Sequence, residues 1–465
     1  MMKEQQIKSS CVRVRFAPSP TGHLHIGSLR SAIFNWLFAR HHDSSFLVRI
    51  EDTDKERSLQ KYTDSIVSSL DWMGLQADQP LIFQSDRESE HRAVVQELLA
   101  SGDAYYAYAP IDFDDEDKAP TAPDGSTHES DPENWVIRLK VPNVDYFTFD
   151  DLILGKITFE KEQVPDFVIA RSDGTPTYNF VVVLDDLAMN ITHVIRGQDH
   201  ISNTPKQIAL YQVLGKSAPH FAHIPLIMSE SGSKMSKRDS AVSVIEYKKQ
   251  GILAPALCNY LVRLGWSHKD QEIFTTDQMI QLFDIGDVGK TNAVFDYKKL
   301  LWVNSTYIKA ATAAELIELV ERDVAPGWQE SLKDWNDDNL ESIVALYQGR
   351  VNTLLELKKS ISDLYQGPDA YHFGDASEAD SSWLERVTDL ESVLNGLATF
   401  SKEAISEALK AYARQKGVKL GVIGQPLRVA LTGSTSSPGI FSMIACLGQT
   451  VTLDRLHRFM KYLRS

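Results

Sequence analysis

The pattern of apolar and polar positions divides the chain into two kinds of territory. Val12 to Phe16 alternates arginine with apolar residues and predicts a strand. The prolines and glycine of Ala17 to Gly22 break it. Leu29, Ala32, Ile33, Trp36 and Leu37 then recur at helical spacing, up to about Arg40. Phe46 to Ile50 is a second strand, closing on Glu51-Asp52-Thr53-Asp54. Ile66, Leu70 and Met73 predict another helix, ended by Gly74. Strand, helix, strand is the opening of an α/β domain with a Rossmann-like, doubly wound parallel sheet. Ligands of such sheets bind beyond the carboxyl ends of strands, which gathers His23, His25 and Glu51 around one crevice.

From about 95 to 180 the pattern is interrupted. An acidic, Pro-rich stretch from Ala109 to Glu133 precedes strand-like runs at Trp135–Leu139 and Tyr146–Phe149, which predicts an inserted α+β domain. Apolar strands are expected again at Tyr178–Leu184 and Ile191–Ile195, the second running into Arg196-Gly-Gln-Asp199-His200. Ala254 to Leu264 reads as a helix ending at Gly265. Beyond about 312, helical periods take over, as in Ala313–Val320, Glu341–Ile361 and Ile405–Arg414. The expected division is 1–94 and 181–239 for the two halves of the Rossmann-like domain and 95–180 for the insertion. A further domain is expected over 240–312 and a helical region over 313–465.

Composition fits several soluble globular domains: 465 residues, 43% apolar and 24% charged. Apolar runs such as Phe180–Leu184 are strand-sized, too short to span a membrane. The polar Met1–Ser10 segment lacks the apolar stretch of a secretory signal. Cys11, Cys258 and Cys446 are scattered, which points to a reducing cytoplasm and away from a cysteine zinc site. The net charge of −15 argues at first against a nucleic-acid partner. The charge is uneven, however. Asp112, Asp114, Asp115, Glu116 and Asp117 cluster, whereas the chain after 401 carries Lys402, Lys410, Arg414, Lys416, Lys419, Arg428, Arg455, Arg458, Lys461 and Arg464. A local basic face binds phosphate whatever the global sum; a solvated helical face is the alternative reading.

Two segments carry the chemistry. His23-Leu-His25-Ile-Gly27 stands at a strand-to-helix junction, where unpaired N–H groups and the helix dipole attract phosphate. Imidazoles there donate to phosphoryl oxygens, and glycine permits close backbone approach. Ser233-Lys234-Met-Ser236-Lys237-Arg238 is a loop whose ammonium groups close over a triphosphate and neutralise charge as it reacts. Each segment alone also has an idle reading, as helix-start histidines or a basic surface loop.

Together, in this order and on this framework, they resemble the "HIGH" and "KMSKS" signatures of class I aminoacyl-tRNA synthetases. Here Leu24 stands inside the first, and Gly27 is not followed by His. The wider context resembles bacterial-type glutamyl-tRNA synthetases: Arg15–Gly22, Arg49–Asp54, Asp173–Phe180, Ile191–Gly197, Leu261–Trp266 and Gln425–Gly433. The resemblance covers nearly the whole chain and implies ligation of L-glutamate to tRNA(Glu). ATP is consumed through a glutamyl-adenylate, with transfer to the 3′-terminal ribose and release of AMP and pyrophosphate. Mg²⁺ is expected with the ATP. His23, His25, Lys234 and Lys237 match catalytic positions. Gly27, Asp199, His200 and Ser236 join His23, His25 and Lys237 on the ATP side. Arg15, Ala17, Ser19, Glu51, Tyr178 and Arg196 match the glutamate pocket. Arg15 and Arg196 would take the γ-carboxylate by bidentate geometry, and Glu51 the ammonium. Gln198 departs from the usual acid and removes a charge near Arg196.

The insertion would grip the acceptor end, 240–312 the stem, and the helical C-terminal region the anticodon, with Arg350, Arg414 and Arg428 as candidate contacts. Some relatives hold zinc through a Cys-Tyr-Cys segment. Here Ala107-Tyr108-Ala109 lacks the thiolates, so no structural zinc is expected. A monomer is implied. Charging of tRNA(Gln) as well, by a non-discriminating enzyme, stays open. So do rival readings. A shortened paralogue that modifies a tRNA base normally lacks the C-terminal part. Glutaminyl-tRNA synthetase has a mostly β-barrel anticodon region. A small-molecule nucleotidyltransferase would not need these further domains. A non-catalytic RNA-binding descendant is expected to lose His23, His25 or Lys237, and all are present.

Overall fold

The computed structural model describes residues 12–54, 57–109, 126–229, 231–232, 243–333, 335, 337–374 and 382–465. The chain forms two compact units, Met1–Ile245 with Leu257–Tyr297, and Glu246–Ala256 with Lys298–Ser465. The first unit opens with β1 (Arg13–Phe16), α1 (Ile26–His41), β2 (Ser45–Ile50), α2 (Gln60–Trp72), β3 (Ile82–Phe83) and α3 (Glu88–Ser101). Then follow β4 (Ala104–Tyr108), β5 (Trp135–Leu139), β6 (Tyr146–Asp151), β7 (Gly155–Glu160), β8 (Phe167–Ala170), α4 (Tyr178–Ala188), β9 (His193–Gly197), α5 (Thr204–Val213), β10 (His220–Ile224) and β11 (Ile227–Met228). After α6 (Val244–Lys249), α7 (Ala254–Arg263) and α8 (Thr276–Leu282) comes β12 (Ala293–Val294).

The main sheet has the order β3-β2-β1-β9-β10-β6-β7. Its neighbours are parallel except the β6–β7 hairpin at one edge. Strand order reverses between β1 and β9, which makes their carboxyl ends the switch point where such sheets bind ligands. Helix α1 covers this junction. Leu29, Ile33 and Leu37 are fully buried, and Asn35 Nδ2 donates to the Ile195 carbonyl at 2.9 Å. Arg30 reaches from the same helix to the carbonyls of Pro225 and Leu264. With only neutral acceptors there, burial pulls its pKa down to about 10.

Two sequence expectations are corrected. Tyr178–Leu184, expected as a strand, is the start of helix α4. Phe180, Val181, Val182, Val183 and Leu184 are all buried, so no polar face interrupts the run and no helical period shows. Three consecutive valines then favour the strand reading. The second correction concerns 146–160, placed with the insertion. Its two strands join the main sheet, β6 lying parallel to β10 with Phe221 opposite Asp151. The separate antiparallel sheet is β4-β5-β8, and it shares one apolar core with α4 and α5 through Leu139, Ile169, Phe180 and Leu210. Ala107 and Tyr108 lie on β4, while 110–125, most of the acidic segment, fall outside the described residues.

The second unit is helical: α9 (Tyr297–Ala310), α10 (Ala313–Leu319), α11 (Asp337–Tyr347), α12 (Leu354–Gln366), α13 (Trp383–Asn395), α14 (Lys402–Gln415), α15 (Leu420–Thr432) and α16 (Ile440–Arg464). The expected helical stretch Glu341–Ile361 is two helices. They are separated at Val351–Thr353, where Thr353 accepts from the Glu356 N–H and restarts the chain. Arg455, counted with the basic C-terminal residues, is buried. It donates to the Leu431 carbonyl at the end of α15 and to those of Leu364 and Tyr365 at the end of α12. It caps helix ends and is withdrawn from any phosphate-binding face.

Candidate active site

The first residues after β1 make the rim. Pro18 O accepts from Glu51 N at 3.0 Å, so the Ala17–Gly22 turn is laced to the end of β2. His25 then caps α1. Its Nδ1 accepts from Ser28 N at 3.3 Å and its Nε2 lies 3.0 Å from Ser28 Oγ. Gly27 is what permits this fold-back, because a Cβ there would stand 3.1 Å from the His25 ring. His23 is exposed, with Nδ1 2.9 Å from Ser65 Oγ and its ring edge-on to Tyr62. The crevice, about 450 Å³, is lined by Arg15, Ala17, Ser19, His23, His25, Gly27, Glu51, Tyr178, Arg196, Asp199 and His200. Every glutamate-side candidate and every described ATP-side candidate is therefore brought together. Lys234, Ser236 and Lys237 fall outside the described residues, on the chain beyond β11.

Beneath the crevice lie two sets of buried charge. In the first, Arg49 is fully buried, 2.6 Å from Asp186 and 3.1 Å from Glu51. Arg15 Nε donates to Asp186 at 3.1 Å. Asp185 beside them takes His91 Nε2 at 2.7 Å and the Gln84 amide at 2.8 Å. Burial opposes the Arg49 charge, but Asp186, Glu51 and Asp185 outweigh it and push its pKa up. Burial likewise opposes ionisation of Asp186, and Arg15 and Arg49 outweigh it and hold that carboxyl low. For Glu51 burial prevails over Arg49 and its pKa is raised. This network was missed in the sequence. The signal was Arg49 itself, a cation inside the apolar run of β2, which needs a buried partner.

The second set is Arg196, only 6% exposed, at the end of β9. Nε donates to His223 Nε2 at 3.2 Å, Nη1 to Gln207 Oε1 at 2.9 Å, and Nη2 to Thr204 Oγ1 at 2.8 Å and to the His200 carbonyl at 3.5 Å. The Phe221 ring lies 5.6 Å from its guanidinium carbon. None of these partners is a carboxylate. Burial accordingly lowers the Arg196 pKa. A buried guanidinium held by neutral groups and opening on a crevice is a seat for an anion.

The other candidates are placed as follows. Tyr178 begins α4, its hydroxyl 3.3 Å from His200 Nδ1. Burial, with Arg196 adding to it, lowers the His200 pKa to about 4, which leaves the imidazole neutral. The Asp199 carboxylate folds against Gly197, where a Cβ would stand 2.4 Å from Oδ1. Gln198 is not part of the crevice lining. Arg350 and Arg414 are exposed in the helical unit and Arg428 is half-buried; Arg350 Nη2 reaches Ser436 Oγ at 3.4 Å. A second cleft of about 630 Å³ shares Ser19, Thr21, Glu51 and Tyr178 with the first and continues past Thr53, Gln84, Arg171 and Thr175.

Comparison with known proteins adds the following. The model of the catalytic domain of class I tRNA synthetases (E and Q) matches residues 11–302, and that of the anticodon binding domain matches 314–460. A glutamate–tRNA ligase of Thermodesulfovibrio yellowstonii is 43% identical over 96% of this chain and 99% of that one. One of Geobacter sulfurreducens is 42% identical over 98% and 99%. A crystal structure of a glutamate tRNA ligase from Elizabethkingia meningosepticum, in complex with its amino acid, superposes with a TM-score of 0.85. It is 27% identical and is matched over 98% of this chain and all of that one.

Proposed function

The chain belongs to the class I tRNA synthetases, among the bacterial glutamate–tRNA ligases, and from that premise we propose how its crevice works. The reaction joins L-glutamate to tRNA(Glu) at the expense of ATP. The glutamate α-carboxylate attacks the α-phosphate and expels pyrophosphate. A 3′-terminal ribose hydroxyl then attacks the acyl carbon and releases AMP. Neither step needs a protein nucleophile, so the residues act by positioning and charge.

Arg196 carries the assignment of the amino-acid end. Its buried charge meets no carboxylate among its partners, so the glutamate γ-carboxylate supplies the missing anion. Arg15 assists: its Nε is engaged by Asp186, whereas its terminal nitrogens make no hydrogen bond to a described residue. Glu51 takes the ammonium while Arg49 braces it from behind. Ala17, Ser19 and Tyr178 complete the pocket. His23 serves the phosphates; His25 shapes the start of α1, whose first residues Ile26, Gly27 and Ser28 line the crevice. Gly27, Asp199 and His200 border the nucleotide, with Lys234, Ser236 and Lys237 closing over it.

Mg²⁺ is proposed as an ion carried in on the nucleotide. Among the described residues there is no cluster of three His, Cys, Asp or Glu side chains that could hold a metal ion; a nucleotide-borne Mg²⁺ would need at most one or two carboxylates beside the phosphate oxygens. Bound, it neutralises phosphate charge. The second cleft, sharing Glu51 and Tyr178 with the first, is where we place the incoming 3′ end of the tRNA. Arg350, Arg414 and Arg428 are proposed anticodon-side contacts. Structural zinc is not proposed, since the Ala107 and Ala109 methyl groups ligate nothing. We also propose a monomer working in the cytoplasm; no helix among the described residues is long and apolar enough to cross a membrane.

Aminoacylation with labelled glutamate, ATP and separate tRNA(Glu) and tRNA(Gln) tests this reading. Charging of tRNA(Glu) that is lost in Lys237→Ala supports it. Charging of neither tRNA by folded protein contradicts it. The tRNA(Gln) arm separates a discriminating enzyme from a non-discriminating one.

A further inference from the structure

Arg196 is held by a chain of buried groups that the catalytic assignments do not use. Asp151, the last residue of β6, accepts from the Ile153 and Leu154 N–H groups at 3.0 and 2.8 Å, which fixes its carboxylate. Its Oδ2 then lies 2.6 Å from His223 Nδ1 and accepts from the His223 N–H at 3.0 Å. His223, fully buried on β10, turns Nε2 towards Arg196 Nε at 3.2 Å and Thr204 Oγ1 at 3.0 Å. A guanidinium N–H only donates, so Nε2 must be the bare acceptor and Nδ1 must carry the proton. A carboxylate on Nδ1 enforces that tautomer.

We propose that Asp151 and His223 are positioning residues for glutamate selection, fixing Arg196 through a neutral imidazole so that its full charge is kept for the side-chain carboxylate of the substrate. The inference rests on the reading of Arg196 given above. Its logic is one of distance. A carboxylate placed directly on Arg196 would neutralise it, as Asp186 and Glu51 do for Arg49. Interposing the imidazole holds the guanidinium with a hydrogen bond yet leaves the charge facing the crevice. Burial, outweighing the Asp151 contact, keeps the His223 pKa below its usual value, in line with a neutral ring. The β6–β7 hairpin acquires a reason for joining the main sheet: it delivers Asp151 beside β10.

Steady-state aminoacylation by the full-length protein tests the proposal with four variants. His223→Ala removes the acceptor, and the glutamate KM is expected to rise at least about tenfold, the worth of one lost buried hydrogen bond. The KM values for ATP and tRNA should stay within about threefold. His223→Gln, whose Oε1 can stand in for Nε2, should recover most of the loss. Asp151→Asn is nearly isosteric but lets the amide donate to Nδ1, which moves the proton to Nε2 and sets it against Arg196. It should therefore resemble His223→Ala more than His223→Gln. Should His223→Ala fail to fold, the contrast between Asp151→Asn and His223→Gln decides. A glutamate KM unchanged in His223→Ala overturns the proposal. So does a parallel rise in all three KM values, or a His223→Gln no better than alanine. Arg196→Ala is the control on the underlying reading: if that variant leaves the glutamate KM unchanged, the seat itself is misassigned. If only the His223 and Asp151 variants are silent, the relay alone is wrong.

Discussion

Two buried arginines stand under one crevice and are treated in opposite ways. Arg49 is surrounded by Asp185, Asp186 and Glu51, and the carboxylates raise its pKa despite burial. Arg196 meets a histidine, a glutamine, a threonine and a carbonyl, and burial lowers its pKa. The first arrangement is electrically closed and serves as framework. The second has no carboxylate among its hydrogen-bond partners, and in the reading proposed above glutamate supplies one. Arg15 stands between them, one edge closed by Asp186 and the other left towards the crevice. On the proposed reading, whether each buried charge is already answered, and not the number of buried charges, separates framework from site.

The comparison breaks most visibly at its closed side. Arg49→Leu leaves Asp186, Glu51 and Asp185 without their buried cation, and we expect a loss of about 3–5 kcal/mol in stability, read by urea unfolding. Arg15→Lys keeps a charge but gives up the planar fork. The expected outcome is a rise of about tenfold in the glutamate KM with little change in unfolding midpoint.

A smaller effect follows from neutral imidazoles. Burial, with His220 and His42 adding to it, holds His193 down at about 4. Below about pH 6.5 an unfolded histidine takes up a proton that folded His193 refuses. Stability therefore falls as pH drops from about 6.5 towards 4, by at most about 1.4 kcal/mol per pH unit for that ring. Thermal unfolding at stepped pH should show a slope of this sign, and His193→Gln should reduce it by that ring's share, leaving the part due to His200. The smallest effect expected is at Gly27→Ala. The added methyl makes the His25 ring give by a few tenths of an ångström, and the weakened cap is offset by the roughly 1 kcal/mol that alanine gains over glycine in a helix, so a small net change in stability is expected together with a fall in kcat. A Gly27→Ala enzyme with unaltered kcat would remove His25 from the account.

Much of this was legible in the sequence. The switch-point geometry follows from alternating β1 and helical α1, and Arg15, Glu51, Tyr178 and Arg196 do line one crevice. What stayed hidden has physical causes. Helix α4 is buried on every side and shows no period. The partners of Arg49 and Arg196 come largely from other elements: Asp186 from α4, 137 residues from Arg49, and for Arg196 His223 from the neighbouring strand β10 and Gln207 from α5. Their common mark is a polar residue inside an apolar run, as in Phe221-Ala-His223-Ile, which says that a partner exists without saying which. Arg455 shows the converse, a basic residue in a basic stretch that turns inward to cap two helices.

The central claim is that the unanswered charge of Arg196 seats the glutamate side chain. Its most direct test is the set of KM values for L-glutamate, ATP and tRNA(Glu) in Arg196→Met. A glutamate KM raised about a hundredfold, with the other two within about threefold, is the expected result for a lost charge-assisted contact. A glutamate KM that stays at the wild-type value in folded protein would contradict it.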